Sequence, residues 1–294
     1  MKNPKTFGVW GNIEKDAFWN VLPKIINWAK EKNLELFLTE KIISDVRAKE
    51  FDQPVINSKE KISEMDFMLV LGGDGTFLSC ARAVENRSTP ILGIHLGDLG
   101  FLAKVTLENI FQRLDQVSNG LFTVEKRSMV KASILKNGTS LTQYGLNDFV
   151  VSNGESHRML IAEVYVDDNR VSEYKADGLI VATPTGSTAY SLSSGGPIIS
   201  PDVDSFVITP ISAHTLNSRP LVVSAKSRIK IQFSPYNENI LLITDGQLHE
   251  LLTAQDTVLI TDSDFEIGLI DFEDDDYFQT LRTKMGWGTR GGSN

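Results

Sequence analysis

The sequence predicts a two-domain protein: an α/β domain built on a parallel sheet, followed by a mainly antiparallel β domain. Up to about residue 125, short apolar runs alternate with segments of helical spacing, which is typical of a parallel sheet covered by helices. Beyond it, β-rich runs are broken by turn residues, which is typical of antiparallel sheets. A last segment returns to helical spacing. We therefore assign 1–125, joined by 272–294, to the first domain and 126–271 to the second.

Four strands and two helices are predicted in the first domain. The strands are KTFGVWG, LELFLTE, DFMLVLG and TPILGIHLG. AFWNVLPKIINWAKEK has apolar residues at helical spacing, and Pro23 is expected to kink or shorten that helix. TFLSCARAVENR forms a second helix, so GGDGT is a strand-to-helix turn at the carboxyl end of a strand. Ligands of open α/β sheets bind at that edge.

The second domain is predicted from eight β-rich runs. VDDNRV is expected to form a hairpin turn, DFEDDDYF a solvated linker, and YFQTLRTKMGW a helix that returns to the first domain. The runs are VKASILKNG, LNDFVVSN, LIAEVYVDDNRVSEY, DGLIVATP, SFVITPIS, PLVVSAKSRIKIQFSP, ILLITDG and TVLITDSDFEIGLIDF.

Composition narrows the function classes. The 294 residues carry a formal net charge of −9, which argues against nucleic acid as the main partner. No apolar stretch approaches the ~18 residues that span a bilayer, and the start of the sequence has no signal-peptide pattern. Cys80 is the only cysteine, is expected to be a small buried hydrophobe, and fits a reducing cytoplasm.

The LGGDGT segment allows two interpretations. Asp74 either bonds its own backbone in a tight turn, or it faces a ligand that the surrounding glycines allow to approach. The densest signal lies in residues 177–200, where a strand runs into TPTGSTAYSLSSGG. Its hydroxyls and amides suit phosphate, ribose or base edges, and Ser187 or Thr188 is expected to cap a short helix. GIHLGDLGFL, LNDFVV and ITDGQ are weaker signals, and the four histidines default to structural or surface roles.

Taken in order, these clusters resemble the NAD kinases. The order is LGGDGTFL, GDLGFL, LNDFVV, KADG, TPTGSTAYSLSSGGPI, PISAHTLNSRPLVV and DGQ, over roughly residues 66–290. The resemblance implies a Rossmann-like α/β domain, an NAD-binding β domain and a chain end that packs on the first. The implied reaction transfers the γ-phosphoryl of ATP to the 2′-hydroxyl of the adenosine ribose of NAD. It also implies that ATP and NAD are the substrates and that the protein is a homo-oligomer, either a dimer or a tetramer.

The resemblance assigns roles to individual residues. Asp74 matches the catalytic aspartate, and we expect it to act as general base. Gly72, Gly73, Gly75 and Thr76 match the phosphate loop. The positions that match the NAD site are Asp74, Gly75, Asn147, Asp148, Arg158, Lys175, Asp177, Thr188, Ala189, Tyr190, Ser191, Leu192, Ser193, Ala213 and Gln247.

Three positions depart from the family pattern. Asp148 stands where the family has Glu, Lys175 where Arg is common, and His95 where Asn is frequent. Two polyphosphates on an acidic chain need counter-charge, so we expect Mg²⁺ or another divalent cation, with Lys175 and Arg158 supplying the rest. Two other functions stay open from the sequence. One is another kinase of the same superfamily, and the other is a catalytically idle NAD(H) or NADPH sensor.

Overall fold

The chain divides into two compact units in a computed structural model. The structure describes residues 3–97, 99–136, 138–154, 159–214, 217–237 and 239–287. The first unit takes in the chain up to Lys126 and again from Ile267 onward, and the second runs from Arg127 to Glu266. The fold is therefore an α/β unit that the C-terminal segment completes, and an antiparallel β unit.

The first unit is built on a parallel sheet. Its strands are ordered β3-β2-β1-β4-β5, and the last part of β17 adds to β5 through the pair Leu269 and Ile91. All these pairs are parallel. The strands are β1 (Thr6–Gly11), β2 (Glu35–Thr39), β3 (Val55–Ile56), β4 (Phe67–Gly72), β5 (Ile91–His95) and β17 (Thr257–Asp271).

Helices cover this sheet. Phe18, Leu22 and Ile25 of α1 pack with Phe7 of β1 in one core, to which α5 contributes Leu114. The helices are α1 (Asp16–Glu31), α2 (Glu40–Ile43), α3 (Lys59–Ile62), α4 (Asp74–Val84), α5 (Ile110–Ser118) and, in the returning segment, α7 (Tyr277–Met285). The sequence analysis missed β3, α2 and α3, which are only two to four residues long, and it also missed α5, although its nine residues have apolar side chains at helical spacing.

Pro23 does not shorten α1. The helix runs for 16 residues through Pro23, which is exposed on its outer side. An interior proline costs ~3 kcal/mol, but the apolar face on either side of it is buried, and that burial offsets the lost hydrogen bond.

The acidic run before α7 is not a solvated linker. Arg113 pairs with Asp274 at 2.7 Å and stacks over the Phe272 ring, 4.4 Å from its centroid. Lys104 pairs with Asp271 at 2.9 Å. Burial and a hydrogen bond with Asp271 raise the pKa of Asp275 to about 6. These pairs tie the returning segment to the first unit, because Asp271, Asp274 and Asp275 each lie beside a cation of that unit.

Two layers of antiparallel strands form the second unit. In one layer β10, β9, β14 and β17 pair in that order, and β6 pairs with β7. The other is a six-stranded sheet ordered β13-β12-β11-β8-β15-β16. The additional strands are β6 (Thr123–Lys136), β7 (Thr139–Gly145), β8 (Asp148–Ser152), β9 (Leu160–Val166), β10 (Asn169–Ala176), β11 (Gly178–Ala182), β12 (Ser205–Ile211), β13 (Leu221–Ser224), β14 (Ile229–Phe233), β15 (Ile240–Thr244) and β16 (Leu248–Leu252).

Strand β11 is one of the two central strands of the six-stranded sheet and is buried throughout. Leu179 and Val181 face the core that the two layers share, whereas Ile180 and Ala182 pack with Ile199 on the opposite face. A strand covered on both faces has a continuous apolar sequence, which explains the run LIVA. The short helix α6 (Tyr190–Ser193) follows this strand.

The hairpin prediction at VDDNRV is confirmed. Asp167 and Asp168 both have positive φ, 50° and 64°, between the paired residues Val166 and Asn169. Two such residues form the type I′ turn that suits a two-residue hairpin. PLVVSAKSRIKIQFSP is not one run, because its middle forms a turn between β13 and β14.

No helix in the described part of the chain is both long enough and apolar enough to cross a membrane. Cys80 is fully buried, and burial raises the pKa of its thiol, as expected for an unreactive core residue.

We expect Phe7→Ala to destabilise the first unit by about 3–5 kcal/mol, because Phe7 is fully buried and its ring stacks on Phe67 at 4.9 Å. Urea unfolding followed by tryptophan fluorescence measures this, since all four tryptophans belong to this unit. Leu121→Ala is the control, because Leu121 is 64% exposed. An equal decrease in the free energy of unfolding in the two variants would contradict the assignment of Phe7 to the core.

Candidate active site

The turn between β4 and α4 is tighter than the sequence suggested. Strand β4 ends at Gly72, Gly73 is the N-cap, and Asp74 is already the first helical residue. A Cβ on Gly72 would run into the Thr76 side chain. The helix therefore begins two residues before Thr76, where the prediction placed it, and glycine is required for the close packing at the strand end.

The Asp74 carboxylate is held by a distant loop rather than by its own turn. The backbone N–H of Phe101 donates to Oδ2 at 2.9 Å, and those of Leu102 and Ala103 donate to Oδ1 at 3.1 Å. A Cβ on Gly100 would lie 2.6 Å from Asp74 Cγ, so this loop can approach only because residue 100 is glycine. Of the two interpretations of Asp74, the self-bonded turn aspartate is wrong.

The segment before this loop is fixed to the parallel sheet. The Leu96 N–H donates to the carbonyl of Gly72 at 3.1 Å, next to the phosphate loop. The His95 Nδ1 lies 2.6 Å from the carbonyl of Gly97, and the His95 side chain is buried. His95 therefore has a structural role, as expected, and its imidazole supports the connection that leads to the loop.

A cavity of about 290 Å³ lies in the second unit. Asn147 and Asp148 lie on one side of it, with Ala189 and Tyr190 contributed by the start of α6. Val150, Ile243, Asp245, Gly246 and His249 complete the lining. Four of the predicted NAD-site residues thus line one pocket that combines apolar and polar walls, as small-molecule sites do.

A second carboxylate organises this pocket. Asp245 is buried, and its carboxylate accepts the N–H groups of Leu146, Asn147 and Asp148, the closest at 2.8 Å. The sequence marked Asp245 only as part of ITDGQ, one of the weaker signals. The structure shows that it shapes the neighbouring turn and so fixes where Asn147 and Asp148 lie.

The Asp148 carboxyl is in a different situation. Its side chain lines the cavity, and no hydrogen bond to this carboxyl is found among the described residues. Burial, together with the nearby Asp245 carboxylate, raises the pKa of Asp148 to about 7. Near neutral pH this carboxyl therefore exists in both its protonated and its ionised form, and the protonated form can both donate and accept a hydrogen bond.

The TPTGSTAYSLSSGG block is an ordered loop. Ser187 donates to the Pro184 carbonyl at 2.6 Å and accepts the N–H of Ile199 at 2.9 Å, while Thr188 donates to the carbonyl of Thr185. The capping prediction is therefore wrong, because both hydroxyls bond inside the loop and α6 begins after Ala189 without a side-chain cap.

The predicted residues within α6 differ in exposure. Ser191 is buried and bonds Thr209 at 2.9 Å, whereas Leu192 and Ser193 are increasingly exposed. Ser191 thus anchors the helix, and Tyr190 is the residue that the helix presents to the cavity.

Lys175, Asp177 and Ala213 form a second group in this unit. The Asp177 N–H donates to the carbonyl of Ile211, and the His214 N–H donates to the carbonyl of Lys175. The Lys175 ammonium pairs with Glu173 at 3.2 Å, and both side chains are exposed. An exposed pair of this kind contributes little, so it does not tie Lys175 down.

Several residues fall outside the two groups. Asp74 and Gly75 belong to the first unit, with Gly75 exposed in the first turn of α4. Gln247 is exposed in the turn after β15 and is not among the residues that line the cavity. Arg158 lies outside the described residues.

Sequence reasoning missed three contributors. His249 was assigned a structural or surface role but lines the cavity, which its position opposite Ile243 on β15 explains. Arg127 is buried and donates to Thr185, so it supports the Ser/Thr-rich loop. The 101–103 amides carry no side-chain signal, although Gly100 in GDLGFL marked the close approach.

Two family models match the chain: the ATP-NAD kinase N-terminal domain over residues 8–122, and the ATP-NAD kinase C-terminal domain over residues 146–272. The chain belongs to the NAD kinase family. It is 40% identical over 282 residues to the NAD kinase of Thermoanaerobacter sp. (strain X514), covering 96% of this chain and 99% of that protein. The NAD kinase of Syntrophotalea carbinolica is 40% identical over 288 residues, covering 97% and 100%.

Solved structures agree with the fold. An NAD kinase from Archaeoglobus fulgidus in complex with ATP superposes with a TM-score of 0.76 at 27% identity, over 96% of this chain and 98% of that one. Yeast NADH kinase complexed with NADH superposes with a TM-score of 0.90 at 23% identity, over 98% and 89%, which is a likeness of fold. The α/β and antiparallel β architecture expected from the sequence is confirmed.

The raised pKa of Asp148 should make the free energy of unfolding of the protein fall as the pH rises. Because its folded-state pKa is raised from 3.8 to about 7, the folded state binds this proton more tightly, and the free energy of unfolding declines between pH 4 and 7. We expect the stability of Asp148→Asn relative to wild type to grow by about 2–3 kcal/mol between pH 5 and pH 8.

Urea unfolding at these two pH values measures this difference. Asp168→Asn makes the same chemical change at an exposed hairpin turn and serves as the control. If the stability of Asp148→Asn relative to wild type stays constant with pH, the carboxyl is not held with a raised pKa.

Proposed function

We propose that this protein is an NAD kinase that transfers the γ-phosphoryl of ATP to the 2′-hydroxyl of the adenosine ribose of NAD, with Asp74 as general base. The observation that carries the proposal is the Asp74 carboxylate, which three backbone N–H groups orient at the carboxyl end of a parallel strand. A fixed carboxylate beside a glycine turn suits a base that must meet a polyphosphate substrate. The identity of the two substrates, ATP and NAD, is inferred from the family to which the chain belongs.

Asp74 retains capacity to bind the nucleophile. A carboxylate has about four lone-pair sites, and the loop amides occupy three of them. The remaining site accepts the ribose hydroxyl, orients it and takes its proton as the new P–O bond forms. General-base assistance of this kind is typically worth ~10²–10⁴-fold in rate. Because phosphoryl transfer is loose, much of this gain comes from positioning.

The phosphate loop provides a site for the negatively charged phosphates of ATP. Gly72, Gly73, Gly75 and Thr76 surround the N-terminus of α4, where the helix dipole favours negative charge. A Cβ on Gly73 would meet nothing within 4 Å, so the backbone lies open to a ligand there. The complex of the Archaeoglobus fulgidus relative with ATP supports ATP as the donor.

The second unit supplies the dinucleotide site in this proposal. Tyr190 offers a ring face, and Asn147 and Asp148 offer amide and carboxyl groups for the polar edges of NAD. The neighbouring Thr188, Ala189, Ser191, Leu192 and Ser193 shape that wall. Lys175, Asp177, Ala213, Gln247 and Arg158 are assigned to the same ligand by the family pattern, with Lys175 and Arg158 as counter-charges.

Mg²⁺ is proposed to enter with ATP rather than to occupy a site made only of protein ligands. The described residues contain no group of three or more His, Cys, Asp or Glu side chains arranged to hold a metal. Mg²⁺ commonly keeps several waters and binds mainly through substrate phosphates. When bound, it would neutralise charge on the ATP oxygens.

We further propose a homo-oligomer, a dimer or tetramer, in the cytoplasm. The edge strands β13 and β16 of the six-stranded sheet carry exposed apolar residues, Val222, Leu248 and Leu251, as strands that pair with another copy do. The single, buried cysteine suits a reducing compartment. Light scattering on the purified protein measures the oligomeric state.

A coupled assay tests the function. Purified protein is mixed with Mg-ATP and NAD, and a strictly NADP-dependent dehydrogenase detects the product. NADP formation supports the proposal. A folded protein that binds NAD but forms no NADP would instead be a sensor, and a lipid or sugar phosphate acceptor would point to another kinase of the superfamily.

Asp74→Asn should lower kcat by ~10²–10⁴-fold, because an amide is a poor base. NAD affinity should remain close to that of the wild type, as measured by titration calorimetry. An amide NH₂ in place of Oδ2 would face the N–H of Phe101, so circular dichroism must verify that the variant is folded. An unchanged kcat would remove Asp74 from the base role.

Tyr190→Ala should weaken NAD binding more than ATP binding, because the ring lies in the cavity wall and is 47% exposed. Tyr236→Ala is the control, since Tyr236 is an exposed tyrosine of the same unit. Separate Kd measurements for the two substrates decide this. Equal losses for NAD and ATP would make Tyr190 part of the scaffold instead.

A further inference from the structure

The C-terminal helix contacts the loop that holds the Asp74 carboxylate. Lys284, in the last turn of α7, donates from Nζ to the carbonyl of Leu99 at 2.5 Å. The same ammonium lies 5.2 Å from the centroid of the Phe101 ring, within the range of a cation–π interaction. The Lys284 side chain therefore contacts two residues of the loop 99–103.

We propose that Lys284 is a positioning residue for Asp74. The N–H of Phe101 bonds the carboxylate on one side of the loop, while Lys284 holds the ring of Phe101 and the carbonyl of Leu99. Fixing the loop fixes three of the hydrogen bonds that orient the base. Lys284 acts through this loop, and the inference rests on the proposed phosphoryl transfer.

The loop needs such support because it contains no helix or strand. The N–H of Gly100 bonds the carbonyl of Ala103 at 3.4 Å, a long contact for a hydrogen bond. Phe101, Leu102 and Ala103 bond Asp74, but among the described residues the start of the loop at Leu99 and Gly100 has no such bond, and a misplaced carboxylate loses rate steeply. The ammonium adds a charge-assisted hydrogen bond at the point where the backbone bonds are weakest.

Helix α7 is itself fixed to the first unit. Asp276 caps its N-terminus by accepting the N–H of Phe278 at 2.8 Å, and Leu281 is buried. Gly286, with φ of 65°, ends the helix just beyond Lys284. Arg113 holds the preceding segment through Asp274. Lys284 is thus presented from an anchored helix, which lets one exposed side chain position a loop.

The test compares four proteins in the coupled NADP assay: wild type, Lys284→Met, Lys284→Arg and Arg282→Met. Methionine keeps most of the aliphatic chain and removes the ammonium, while arginine keeps the charge and the donors. Arg282 is the matched control, because it lies on the same helix but pairs with Asp276 of that helix. kcat and KM for NAD and ATP are measured for each.

We expect Lys284→Met to lower kcat about tenfold while both KM values stay within about twofold, because only the orientation of the base is lost. Lys284→Arg should recover most of the rate, and Arg282→Met should retain it. A higher KM for ATP with unchanged kcat would mean that Lys284 binds a phosphate directly. An unchanged kcat, or an equal loss in Arg282→Met, would also overturn the proposal.

A double-mutant cycle with Asp74→Asn separates positioning from general stability. If Lys284 acts through Asp74, Lys284→Met should change the residual rate of Asp74→Asn by less than about twofold. A full tenfold loss in that background would refute the proposal. Wild-type turnover keeps the two hypotheses apart, because a wild type that forms no NADP refutes the proposed function rather than the role of Lys284.

Discussion

The three N–H groups that converge on the Asp74 carboxylate are the interaction on which the first unit's site depends. Hydrogen bonds to a charged group contribute about 1.5–3 kcal/mol each, so together they offset much of the entropy cost of ordering an irregular loop. They also explain the glycines around them. Gly100 lets the loop approach the carboxylate, and at Gly93 an added Cβ would lie only 2.8 Å from the Cα of Ala103, so a side chain there would push the loop away. The carboxylate and the loop therefore hold one another in place.

The second unit uses the same arrangement for a different purpose. Asp245 accepts three consecutive N–H groups and so builds the turn that carries Asn147 and Asp148. Because Asp245 takes these donors, the neighbouring Asp148 carboxyl lies buried beside a negative charge, and its pKa rises to about 7. One carboxylate is thus structural, and the adjacent carboxyl is left free to respond to a ligand. In both units, backbone N–H groups stabilise a negatively charged carboxylate, which suits a chain of net charge −9.

The strands and the two architectures could be predicted from the sequence because apolar periodicity and turn residues are local signals, as VDDNRV and LIVA show. The family pattern also directed attention to Asp74 and Tyr190. The partners of these side chains could not be predicted in the same way. Backbone amides at 101–103 look alike in any sequence, and Asp245 meets Asn147 only after β8 and β15 pair. The acidic run before α7 was misjudged for the same reason, since its cationic partners lie more than a hundred residues away in the chain.

We infer that turnover requires the loop to reach the Asp74 carboxylate, and Gly100→Ala tests this requirement most directly. The added Cβ would fall on that carboxylate, whereas in Gly97→Ala the new Cβ would approach only the mobile end of Lys15, at 3.2 Å. Steady-state NADP formation should fall at least tenfold in Gly100→Ala and stay near wild type in Gly97→Ala, with NAD and ATP affinities retained in both. A folded Gly100→Ala variant with wild-type kcat would contradict the claim.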